Sequence, residues 1–170
     1  MFSRRTSLTN DRLASRRMTH RPYARLWSGE GDVAMTPDEF RGGYAAVLMV
    51  GGGTSAMRAV PDTVRWHQTN RCWISSSAST KLYAGLPVVA RMAGESNELL
   101  MLGVVSGDWR ANDVGYASRW PHLLPVAWET HVTRGVYAAD VIGKWGKARP
   151  AAMTISKRTW REIVQALHEA

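Results

Sequence analysis

Gly85-Leu-Pro-Val-Val-Ala-Arg-Met-Ala-Gly94, with Leu99-Leu-Met-Leu-Gly-Val-Val-Ser-Gly-Asp-Trp109 close behind it, decides the fold class. Apolar runs of this length, broken by glycine and polar turns, predict strands of a small antiparallel sheet or barrel. Arg119-Trp-Pro-His-Leu-Leu-Pro-Val-Ala-Trp128 adds a third run. Upstream, Tyr44-Ala-Ala-Val-Leu-Met-Val50 has the unbroken apolar character of a buried strand. Downstream, Ala151-Ala-Met-Thr-Ile155 is a short strand, after which Ser156 caps a closing helix. Trp160, Ile163, Val164 and Leu167 share one face of that helix at helical spacing, so Trp160 belongs to the core. Strands closed by a terminal helix predict an α+β fold.

The segments between these elements are less regular. Thr36-Pro-Asp-Glu39 resembles a helix start, ended at once by Gly42-Gly43. Gly51-Gly-Gly-Thr-Ser55 lets the backbone turn tightly or lie close to a ligand, but lacks the Gly-Lys-Ser/Thr of a phosphate loop. Asp62–Gln68 is a short helix or a loop. Ser75–Thr80 is a polar loop whose hydroxyls either bond a ligand or are solvated. Arg110–Ser118 is a polar loop, Thr130–Tyr137 a further strand, and Val141–Lys147 a turn with two glycines.

The 170 residues suggest one domain, long enough to bury a core without metals or disulfides. Residues 1–21 carry six arginines and one acid, +5 of the net +8, and lack periodicity. They are expected to form a disordered basic arm, with residues 22–170 as the folded domain. A basic arm attracts phosphates without regard to sequence. Cys72 is the only cysteine, which excludes an internal disulfide and suits a reducing cytoplasm. No apolar run approaches the ~20 residues of a membrane span.

Catalytic signatures are sparse. The five histidines show no close ligand spacing, and no Gly-x-Ser-x-Gly elbow occurs. Asp108 and Asp113 are close in sequence but sit where turn-forming aspartates are common. A binding module without a cofactor or metal is expected. Eight tryptophans stand against two phenylalanines. Trp128 and Trp160 are expected in the core, and Trp145 is either a surface lid or a packing anchor. Trp66, Trp73, Trp109 and Trp120 flank polar loops and are the candidates for a pocket, because a half-exposed indole can stack on a flat ligand.

The order of these elements, with the Gly-Asp-Trp strand end and the Trp-Pro-His-x-x-Pro-Val-x-Trp strand, resembles the EVE/YTH-like branch of the PUA-like superfamily. The resemblance spans roughly residues 44–167. It implies a partly closed β-barrel with peripheral helices and a C-terminal capping helix. It also implies a module that holds a flipped, modified base in an aromatic cage, such as methylated cytosine in DNA beside a separate restriction nuclease. RNA is the second ligand. Trp66 matches the cage tryptophan, with Trp109 or Trp120 as the opposite wall. Trp73, His67, Gly52, Ser75 and Ser77 complete the base-binding set. Two departures stand out: Gly85-Leu replaces the family's Gly-Asp, and three glycines replace polar residues in the first loop, leaving backbone groups to read the base edge. Arg65, Arg110, Arg119, Lys144 and Lys147 are the candidate phosphate contacts. They are needed because flipping costs a few kcal/mol while stacking returns ~1–3 kcal/mol per base. A small-molecule-binding or enzymatic relative would instead show a deep pocket around an ionisable residue, His67 or Asp108. An interaction scaffold would keep every tryptophan in its core.

Overall fold

The computed structural model describes residues 43–52, 57, 59–94, 97–143 and 151–170. The strands are β1 (Ala45–Val50), β2 (Cys72–Ser75), β3 (Pro87–Met92), β4 (Leu99–Val105), β5 (Arg110–Ala111), β6 (His122–Trp128) and β7 (Ala152–Ile155). The helices are α1 (Val60–Asn70), α2 (Ala138–Ile142) and α3 (Lys157–Glu169). Every residue of β3 and β4 is buried, which explains why both read as continuous apolar runs rather than alternating ones.

The sheet runs β2-β6-β4-β3-β1-β7, with β5 added on β6. β1 and β3 are parallel, and the chain between them forms α1 and β2. The other pairings are antiparallel. β6 is shared along its length: residues 126–128 pair with β4, and residues 122–125 pair with β2. The sheet curls into a half-barrel. Its two edge strands, β2 and β7, are not laddered to each other. A side chain bridges towards that opening instead, where the Trp73 indole Nε1 donates to the Met49 carbonyl at 2.8 Å.

The two faces of the central strands feed different cores. Leu48, Val88, Ala90, Leu100 and Val126 pack with Trp73 and Val64 in one cluster. Val47, Val89, Leu99 and Leu102 point the other way, under Trp160, Ile163, Val164 and Leu167 of α3. Burying each such Val, Leu or Ile side chain stabilises by about 1.5–3 kcal/mol. Ser156 caps α3 as expected, its Oγ accepting from the Thr159 N–H at 3.2 Å.

One open reading of the sequence is resolved and two are corrected. Asp62–Gln68 lies within a full helix, with Pro61 in its first turn and Arg71 closing it in the left-handed region (φ 50°). Arg110–Ser118 begins with the short strand β5 rather than being loop throughout. Thr130–Tyr137 is not a strand; it makes one isolated bridge, Glu98 with Tyr137, and leads into α2. The basic arm, the helix start at Thr36, the residues Gly53–Ser55, and Lys144, Trp145 and Lys147 lie outside the described residues. Among the described residues no helix is long and apolar enough to cross a membrane.

Candidate functional site

Where β2 approaches the ends of β1 and β7, a cavity of about 140 Å³ opens. Its floor is Met49 and Gly51 from the end of β1, with Met57. One wall is Trp73 to Ser76; His67 of α1, Trp120 and Ala151 complete the lining. Gly51 has φ +77°, and a Cβ there would meet the Met57 carbonyl and the Met92 methyl, both at 2.9 Å. Only glycine lets the chain turn there. Thr63 holds Met57 in place, its hydroxyl bonding the Met57 and Ala59 carbonyls at 3.0 and 2.9 Å.

His67 is 1% exposed. Its Nδ1 lies 2.9 Å from the Cys72 carbonyl. A carbonyl can only accept, so Nδ1 carries the proton and Nε2 is left as an acceptor. Burial pushes the imidazole down to about 4, against the opposing pull of the Cys72 bond, so the ring is neutral near pH 7. The same Cys72 oxygen also accepts from the Trp128 Nε1 at 3.0 Å. One carbonyl thus ties α1 to β6. The Cys72 thiol is buried, and burial raises it to about 11, so it is a packed residue rather than a nucleophile. Ser75 is buried and its Oγ accepts from the Ser77 N–H at 3.3 Å.

A second aromatic group flanks Trp120. Tyr116 contacts Trp66 at 5.8 Å and Trp120 at 6.0 Å between ring centres. The Arg119 guanidinium lies 5.1 Å over the Trp120 ring. Tyr116 has φ +59°, an uncommon conformation for a non-glycine residue. Its turn is held by Asn112, whose Nδ2 donates to the Gly115 and Trp120 carbonyls at 2.7 and 2.8 Å and whose Oδ1 accepts from Val114.

Four of the expected base-binding residues, His67, Trp73, Ser75 and Trp120, meet at this one cavity. Gly52 adjoins it, its N–H donating to the Met57 carbonyl. The others lie elsewhere. Trp66 packs edge-on against His67 at 4.9 Å and belongs to the cluster with Tyr116. Trp109 packs against Trp73 at 5.9 Å and donates to the Ser79 carbonyl. Trp66 and Trp109 therefore sit in different clusters and do not face each other across one ligand. Trp66 and Trp120 each pack against Tyr116, at 5.8 and 6.0 Å between ring centres. Ser77 is exposed, and so is Asp108. Arg65 is exposed on α1, and Arg110 pairs with Asp113 at 2.6 Å. Tyr116, Asn112, Met49 and Met57 were missed. Asn112-Asp-Val-Gly115 carries a readable signal, an Asn able to bond the backbone two residues on; Met49 and Met57 carry none.

No protein-family model and no curated protein matches the sequence. The fold is similar to the NMR structure of Rpa0253 from Rhodopseudomonas palustris, with a TM-score of 0.50 and 7% identity, covering 74% of this chain and 94% of that one. At that identity the likeness is of fold alone.

Proposed function

We propose that the chain is a nucleic-acid-binding module that takes a flipped, methylated base into the cavity between β1, α1 and β2. The convergence of His67, Trp73, Ser75 and Trp120 on that cavity carries the reading. Residues spread over more than fifty positions of sequence, each chosen for base recognition, line one space. The curled sheet and its C-terminal helix fit the PUA-like barrel that the sequence resembles. Trp120 offers the stacking face because it is half-buried, whereas Trp73 is fully packed. Arg119 beside it, with Arg65, supplies cationic contacts for phosphates. DNA is the favoured ligand, and a separate nuclease the favoured partner. We assign no chemical step to the chain.

The test is fluorescence titration with oligonucleotides that differ only in one methylated base. Trp120→Ala removes a stacking face worth ~1–3 kcal/mol, so affinity for the methylated strand should fall roughly five- to 150-fold with the circular dichroism unchanged. Equal affinity for methylated and unmodified strands would remove the modification-specific part of the proposal. Preference for single-stranded RNA would move the ligand from DNA to RNA. A second reading is a small-molecule site, favoured by an ionisable residue, His67, in the cavity wall.

A further inference from the structure

Resting on the reading that the cavity takes a base, we infer that His67 is its specificity-determining residue: Nε2 accepts a hydrogen bond from an exocyclic amine N–H of the ligand. The class of ligand is then a cytosine or adenine derivative that keeps at least one amine hydrogen.

The argument starts from the tautomer. The Cys72 carbonyl fixes the proton on Nδ1, so Nε2 presents a lone pair. Among the described residues the ring's one hydrogen bond is that of Nδ1 to Cys72, and the buried His67 lines the cavity. Three other acceptors nearby are engaged. The Met49 carbonyl takes the Trp73 N–H, the Cys72 carbonyl takes two ring N–H groups, and the Ser75 Oγ takes the Ser77 N–H. The Ser75 hydroxyl keeps its own proton to donate. An acceptor on His67 and a donor on Ser75 complement an amine next to a ring nitrogen, the edge shared by cytosine and adenine. A ligand without the amine hydrogen leaves Nε2 buried and unsatisfied, which costs more than the bond itself.

The ligand can be altered while the protein stays intact. Short single-stranded DNA would carry one cytosine or adenine bearing either an N-ethyl or an N,N-dimethyl group on the exocyclic nitrogen. The two groups have the same number of heavy atoms, and only the ethyl form keeps an N–H. Wild-type protein should bind the dimethyl form roughly five- to 100-fold more weakly. His67→Phe should bind both forms alike, and its fold is supported because Cys72 keeps the Trp128 bond. Equal wild-type affinity for the two forms, with Trp120→Ala still weakening both, overturns the role of His67 and leaves the base reading standing. Failure of wild-type protein to bind any of the strands overturns both. The wild-type comparison decides even if His67→Phe does not fold.

Discussion

Gly103 has no room for a side chain. A Cβ there would lie 2.7 Å from the Trp128 ring and 3.0 Å from the Ala127 carbonyl. The absent side chain in β4 makes the seat for the Trp128 indole in β6. Gly103→Ala should therefore destabilise by about 1–3 kcal/mol, read as a lowered denaturation midpoint, because one wall of the clash is backbone that cannot move aside. His67 gives the second residue-level prediction. Its folded pKa of about 4 lies below the ordinary 6.5 of the unfolded chain. Above pH 6.5 both states are neutral and the group contributes no pH dependence. As pH falls towards 4 the unfolded chain takes a proton that the folded one refuses, and stability drops by a total of about 3 kcal/mol. Urea unfolding at pH 7 and pH 4 should show that loss, and His67→Gln should remove it. A His67 that titrates normally in an NMR pH series would contradict the prediction. From the sequence, Trp128 is expected in the core by its place in an apolar run; it is half-buried and packs against the core cluster. The glycine that seats it lies twenty-five residues away and could not be read from that run.

At the scale of elements, the closing helix was the most legible part of the chain. Its cap, its periodic face and its length all depend on neighbours within four residues. Ser156→Ala should cost about 1 kcal/mol, through loss of the bond to the Thr159 N–H. Thermal melts of the two proteins would measure it, and an unchanged midpoint would show that the cap contributes nothing. The segment Thr130–Tyr137 was misread because its competitor was a side chain. Glu98 is buried and accepts the Gly135 N–H at 2.7 Å and the Arg134 guanidinium at 3.1 Å. Burial pushes this carboxyl up, but the Gly135 and Arg134 bonds outweigh it and hold it below its usual range. A carboxylate thus satisfies backbone that a strand would have laddered, and no periodicity of the segment itself signals this.

Across the whole molecule, the strands that read as apolar runs, β1, β3, β4, β6 and β7, were legible, whereas β2 and the exposed β5 were not, and the candidate site was legible only as a set of residue types. Two of the tryptophans beside polar loops, Trp73 and Trp120, line the cavity. Which of them share a cavity depends on β2 curling back towards β1 and β7, a non-local event. Trp73 reaches Met49 across twenty-four positions, and Trp66 turns instead towards Tyr116. The same curl governs how the protein behaves among its own copies. An edge strand is a template on which another chain can add, and it seeds aggregation when left open. Here the cavity lies where β2 nears the end of β7, and Ser79, Lys81 and Leu82 share a second cleft with β7 itself. The Trp73 indole bond helps to hold that arrangement. Trp73→Phe keeps the ring but leaves the Met49 carbonyl without its donor, so light scattering on warming should rise earlier than in the wild type. Colloidal stability and the shape of the candidate cavity then hang on the same seam, and selection for one constrains the other.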